Sequence, residues 1–165
     1  MCPVKVEKVC STVTTANHYL VYNANLLDSR SQAIVNPVNI VGAHGKGLAK
    51  QLFRRFPEAL TEYYHACRTK TLLVGTVLHG RLNDGRYMVY FPTKSHWRDP
   101  SQMDYITGGL LALKEWLIVN RISSIAIPAI GCGEGGLDWA LVKPQILLLL
   151  QDIECQVFLY EPKGY

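Results

Sequence analysis

The chain has 165 residues, of which 48% are hydrophobic and 18% charged, with a formal net charge of +4. That size and balance fit one domain able to bury a full core, and they exclude a disordered or low-complexity protein. Apolar runs such as Ile146-Leu147-Leu148-Leu149-Leu150 are too short to span a bilayer, and Met1-Cys2-Pro3-Val4-Lys5 lacks the apolar core of a signal peptide.

In chain order, residues 4–9 alternate apolar and charged side chains, the period of a half-exposed strand. Residues 10–17 are rich in Ser and Thr and read as a loop, and residues 19–22 as a second strand. The apolar run Ala33-Ile34-Val35 predicts a buried strand over 32–35 that feeds Asn36-Pro37-Val38-Asn39-Ile40-Val41-Gly42-Ala43-His44-Gly45-Lys46-Gly47. A helix is predicted over 46–56, and Pro57 suits the first position of a second helix near 58–68. Two strands at 75–82 and 86–91 flank Asn83-Asp84-Gly85, where Asp-Gly signals a hairpin. Residues 92–100 read as a polar loop, with Ser101 capping a long helix whose Ile106, Leu110, Leu113 and Leu117 share one face. The nearly all-apolar run 124–130 suits a central strand. It leads into Gly131-Cys132-Gly133-Glu134-Gly135-Gly136, then a helix near 138–151 and a last strand at 156–160. This alternation predicts an α/β fold with a mostly parallel or mixed sheet.

Two glycine-rich loops thus stand between an apolar strand and a helix, the arrangement in which backbone N–H groups face a phosphate. Together they can wrap a diphosphate and an attached ribose at the edge where open α/β sheets bind ligands. Neither loop is a Walker A motif, since no hydroxyl residue follows Lys46. Gly131, Gly133 and Gly136 match Gly-x-Gly-x-x-Gly formally, but no second βαβ half follows, which argues against a Rossmann domain. The cysteines Cys2, Cys10, Cys67, Cys132 and Cys155 form no Cys-x-x-Cys pair, which predicts reduced thiols and a cytoplasmic setting. The dispersed histidines His18, His44, His65, His79 and His96 predict no metal site.

Three motifs in order resemble the macro domain family. They are Ala33-Ile34-Val35-Asn36-Pro37-Val38-Asn39 with Gly42-x-x-Gly45-Lys46-Gly47-Leu48-Ala49, then Phe91-Pro92-Thr93-Lys94-x-His96-Trp97-Arg98, then Ile127-Pro128-Ala129-Ile130-Gly131-Cys132-Gly133-x-Gly135-Gly136-Leu137-Asp138-Trp139. The second and third resemble the branch that holds DarG and the terminal ADP-ribose protein glycohydrolase of animals. The resemblance implies a three-layer α/β/α sandwich over 1–165, ADP-ribose as ligand, no cofactor, and removal of ADP-ribose from a modified macromolecule. By the same resemblance Asn39 contacts the distal ribose, where a side-chain amide can donate and accept. Asn36, Gly45, Lys46, Gly47 and Thr93 surround it, and Gly131, Cys132, Gly133, Glu134, Gly135 and Gly136 hold the diphosphate with help from the dipole of the following helix.

Ala24-Asn25 stands where the family usually has Gly-Asp, so Asn25 is the candidate adenine acceptor without charge assistance. Tyr90, Phe91 and Tyr160 are alternative aromatic walls. Lys94 matches the lysine that this branch places beside the ribose C1″ atom, where an amine can attack, polarise the leaving group or orient water. The second-loop aspartate of the animal enzyme corresponds here to Gly135; Glu134, one residue earlier, is a candidate general base. His96, Trp97 and Arg98 suit contact with single-stranded DNA, basic groups standing beside an aromatic. The leading expectation is an ADP-ribosyl glycohydrolase acting on thymidine-linked ADP-ribose in DNA, antitoxin-like and linked to DNA repair. Alternatives are glutamate-linked ADP-ribose on proteins, ADP-ribose-1″-phosphate, or binding without turnover. A monomer with no membrane association is expected.

Overall fold

The computed structural model describes residues 2–9 and 17–164; the loop expected over 10–17 falls almost wholly outside them. Seven strands form one sheet: β1 (Lys5–Lys8), β2 (His18–Tyr22), β3 (Ala33–Asn39), β4 (Leu78–Arg81), β5 (Tyr87–Lys94), β6 (Ser124–Ile127) and β7 (Gln156–Tyr160). Their spatial order is β1-β2-β7-β6-β3-β5-β4. The five inner strands are parallel, and the edge strands β1 and β4 pair antiparallel to β2 and β5. Helices α1 (Gly47–Arg55) and α2 (Ala59–Arg68) lie on one side, α3 (Met103–Val119) and α4 (Trp139–Leu149) on the other.

The layers follow from strand alternation. On β3, Ala33 and Val35 pack with Ile106, Leu110, Leu113 and Leu117 of α3 and with Val142 and Ile146 of α4. Ile34 and Val38 pack the other way, against Leu52, Phe53, Ala59 and Tyr63. The predicted α3 face is therefore the buried one, with those four residues at most 2% exposed. The hairpin also forms as read, with Gly85 at φ +89° in its turn.

Several boundaries differ from the sequence reading. β3 continues through Pro37 to Asn39, and β5 through Pro92 to Lys94, because the two pair along almost their whole lengths. Pro37 sits beyond the short β6 pairing, where a missing N–H is tolerated. β4 and β6 are shorter than expected. Ser101 is not the cap of α3: Gln102 holds that position, and Ser101 instead donates its backbone N–H to the Gly135 carbonyl at 3.0 Å. The result that matters for function is that β3, β5, β6 and β7 all end at one edge of the sheet.

Candidate active site

A cleft of about 1100 Å³ opens at that edge, between the segment after β3 and the segment after β6. It is slightly larger than the ~300–1,000 Å³ usual for small-molecule sites. Both glycine loops contribute to its walls, as do Thr93 and Lys94 from the end of β5.

The first loop is built around Asn39. Its Oδ1 accepts from the backbone N–H groups of Val41 at 3.1 Å and Ala43 at 3.2 Å, and its Nδ2 donates to the Ala43 carbonyl at 2.6 Å. The Tyr63 hydroxyl, from α2, sits 2.8 Å from the Asn39 carbonyl oxygen and 3.1 Å from Oδ1 and donates to that pair. The oxygen is thus spent on the loop, and one amide hydrogen of Nδ2 remains for a ligand. His44, farther along the loop, hydrogen-bonds the Tyr64 hydroxyl and lies edge-on to Phe53 at 5.2 Å, so its ring is anchored at the cleft wall. Gly47, at φ +62°, turns the chain into α1. Lys46 precedes it as an N-cap in extended conformation with no side-chain capping bond. The first N–H groups of α1 are therefore uncapped beside the cleft, free for an anion.

The second loop is held by backbone. Cys132 N–H donates to Ala129, Gly136 N–H to Gly133, and Leu137 N–H to the Gly131 carbonyl at 2.9 Å. Gly131, at φ +75°, holds a backbone conformation that strains any side chain, and a Cβ there would press on the Cδ1 ends of Leu137 at 2.9 Å and Ile106 at 3.0 Å. At Gly135 a Cβ would fall 2.2 Å from Ser101 Oγ and 2.4 Å from the Gly131 carbonyl oxygen. No side chain, least of all an aspartate, fits there without rebuilding the loop. Burial pushes the Cys132 thiol up to about 11, so it stays protonated at neutral pH and offers no competing thiolate in the cleft. The helix dipole expected to assist this loop is occupied: Asp138 caps α4, its carboxylate accepting from Ala140 N–H at 3.0 Å. It is α1 that presents the open helix end.

Lys94 and Asn39 are register partners at the ends of adjacent parallel strands. The Lys94 ammonium donates to the Trp97 carbonyl at 3.3 Å and faces the cleft. Trp97 is 46% exposed, with the His96 ring stacked on it at 5.5 Å and the Arg98 guanidinium 4.5 Å from its centroid. Trp97 and Arg98 line the cleft, and Glu134 lines it from the second loop.

Three expected ligand contacts do not line the cleft. Asn36 is fully buried on the α1–α2 side of β3, its Nδ2 3.4 Å from Met88 Sδ and its Oδ1 without a partner. Asn25 caps the single 3-10 turn Leu26–Asp28 by accepting from Leu27 N–H, while Ala24 and Leu26 on either side line the cleft. Gly136 shapes the turn at φ +76° but does not border the cavity. Among the three candidate aromatic walls the structure selects Tyr160, since Tyr90 and Phe91 are core. Beside Tyr160 the cleft has a residue that sequence reasoning missed. Glu161 is held by Trp139 Nε1 at 2.6 Å and by Lys143, and nothing in its local sequence marks it. Among the described residues no cluster of His, Cys, Asp or Glu could hold a metal ion, and no helix is long and apolar enough to cross a membrane.

Comparison with known proteins agrees with this geometry. Residues 35–146 match the model of the Macro domain family. A DNA ADP-ribosyl glycohydrolase of Thermus aquaticus is 42% identical over 84% of this chain and 39% of its own length. The macrodomain of Mycobacterium tuberculosis DarG superposes with a TM-score of 0.83 at 37% identity, covering 87% of this chain and 98% of that one. A Thermosipho africanus DarTG structure in complex with ADP-ribose gives 0.83 at 33% identity, covering 92% of this chain and 43% of that one. The chain spans about two fifths of the length of the curated relatives it matches. Cleft, loops and likeness converge: the chain belongs to the macro domain family, among the DarG-type macrodomains.

Proposed function

We propose that this domain binds ADP-ribose in the cleft and hydrolyses the bond joining it to a thymidine base of single-stranded DNA. The observation that carries the reading is the juxtaposition of Asn39 and Lys94 at the ends of paired strands, facing one cleft between two amide-rich loops. The relatives named DNA ADP-ribosyl glycohydrolases support the choice of DNA. So does Gly135, where no room exists for the aspartate expected of the animal protein glycohydrolase.

In this reading the open N-terminus of α1 and the second-loop amides hold the diphosphate, and the free Asn39 N–H fixes the distal ribose. The Lys94 ammonium first gives a proton to solvent; its amine nitrogen then attacks C1″, and the bond from C1″ to the thymine nitrogen breaks. The proton lost from the new lysine adduct goes to the departing base. Water then adds at C1″, the bond to lysine breaks, and the amine and free ADP-ribose are restored. In this reading Glu134, which lines the cleft from the second loop, assists the water step.

The test is release of free ADP-ribose from two substrates in parallel, a thymidine-ADP-ribosylated single-stranded oligonucleotide and a glutamate-ADP-ribosylated protein. Release from the oligonucleotide, with little from the protein, is expected. Release from protein alone would transfer the assignment to the protein glycohydrolases, and binding without release from either would leave a reader.

A further inference from the structure

A second, smaller cavity of about 500 Å³ adjoins the cleft and shares Gly45, Lys46, Gly47 and Glu134 with it; Lys50, Gln51 and Arg54 complete its wall. Lys50 and Arg54 stand four residues apart on one face of α1, about 6 Å along its axis, and Lys46, the extended N-cap residue, precedes them at the cleft mouth. All three are exposed, and none has an ion-pair partner among the described residues.

Two of these placements go against helix electrostatics. Lys50 and Arg54 are like charges at i, i+4, which destabilise a helix, and Lys46 and Lys50 are cations at its N-terminal end, where they oppose the macrodipole; Arg54, in the last turn, accords with it. α1 has no acidic residue in its first turn to offset either effect, and its sequence Gly-Leu-Ala-Lys-Gln-Leu-Phe-Arg-Arg contains none at all. A local conflict of that kind, beside a ligand cleft, marks a surface kept for an anionic partner. The partner must be extended and regularly charged, because the cations are strung out along a line that begins at the cleft mouth.

Resting on the DNA reading above, we infer that Lys46, Lys50 and Arg54 form a track for the phosphodiester backbone of the single strand that carries the modified base. The strand's phosphates run along α1 away from the cleft, one cation meeting roughly one phosphate. Trp97, exposed beside Arg98 at the cleft, offers a stacking face for a neighbouring base, the combination of stacking and electrostatics that single-strand binders use. ADP-ribose alone would not reach Lys50 or Arg54, which border only the smaller cavity.

The experiment compares the wild-type domain with Lys50→Glu/Arg54→Glu and with the milder Lys50→Gln/Arg54→Gln. Four quantities are read: affinity for free ADP-ribose, affinity for an unmodified single-stranded oligonucleotide of 12 to 15 nucleotides (about the length a single-strand site spans), release of ADP-ribose from the modified oligonucleotide, and release from an acidic ADP-ribosylated protein. The glutamate variant is expected to bind free ADP-ribose as the wild type does. It is expected to lose about tenfold or more in oligonucleotide affinity at low salt, and its salt slope should fall by about 1.4, two phosphate contacts at ~0.7 each. The glutamine variant should lie between. Unchanged oligonucleotide affinity and slope in the glutamate variant would overturn the track. Selective loss of activity on an acidic ADP-ribosylated protein, with DNA binding intact, would overturn it in favour of a protein partner. Binding to the unmodified strand does not depend on turnover, so the track can stand or fall even if wild-type release from DNA is absent, which would defeat the DNA reading instead.

Discussion

The two glycine loops look alike in sequence and are built on opposite principles. The first is organised by side chains: Asn39 and Tyr63 hold its backbone, and at Gly45 a Cβ would meet nothing within 4 Å. The second is organised by close packing, with Gly135 against backbone where no Cβ fits and Gly131 at φ +75° under the ends of Leu137 and Ile106. Gly45 and Gly47 in the first loop leave room for a ligand, whereas Gly131 and Gly135 in the second leave room for the protein itself; Gly133, where a Cβ would meet nothing within 4 Å, is open like Gly45. The same residue type therefore marks binding in one case and packing in the other.

Substitutions can break that contrast. Gly135→Ala should have the largest effect on stability, a loss of about 1–3 kcal/mol in denaturant unfolding, because the new methyl group overpacks Ser101 and the Gly131 carbonyl. ADP-ribose binding should weaken with it, as the loop amides move. Tyr63→Phe comes next: it leaves the Asn39 carbonyl without its donor and should cost about 0.5–1.5 kcal/mol while loosening the first loop, seen as faster amide exchange at Val41 and Ala43. Gly45→Ala should change stability by less than ~0.5 kcal/mol, the ordinary range for a surface position. It should nonetheless weaken ADP-ribose binding by about tenfold, near 1.4 kcal/mol by calorimetry. If Gly45→Ala destabilises the fold as much as Gly135→Ala, the two loops are not built differently.

The smallest effect lies away from both loops and serves as a control. Burial of His18 on β2, against the Leu150 carbonyl at 3.0 Å, pushes its pKa below the ordinary value near ~6.5. The unfolded chain then binds a proton that the folded one resists. The stability tied to His18 is thus full above the unfolded pKa and is lost as pH falls through the lower folded value. Thermal melts from pH 7.5 to pH 5 should show Tm falling, and His18→Gln should flatten the decline. ADP-ribose affinity at pH 7.5 should be unaffected by that change.

Periodicity located the α3 face, the closing strand and both loops, because these depend on residues near one another in the chain. The strand ends were less legible. Pro37 and Pro92 look like breakers, yet β3 and β5 continue through them because each has the other as partner. Asn39 could be singled out from its motif, but its bonding to Ala43 and Tyr63 depends on a helix more than twenty positions away. Asn36 and Asn39 stand three positions apart on β3 with a register shift between Val38 and Asn39, and only the tertiary structure assigns one to the core and one to the cleft. Glu161 was invisible because its partners, Trp139 and Lys143, come from another element. The Asp138 cap was readable in kind, an aspartate before a helix, and its consequence is that α1 rather than α4 offers the free amides.

In the proposed reaction the attacking group is Lys94. The most direct measurement is single-turnover release of ADP-ribose from a thymidine-ADP-ribosylated oligonucleotide by the wild type and by Lys94→Ala, with ADP-ribose affinity determined for both. Loss of at least about 100-fold in release, with affinity retained within a few-fold, is the expected result for a group acting on the breaking bond. Release at the wild-type rate by Lys94→Ala would contradict a catalytic role for Lys94.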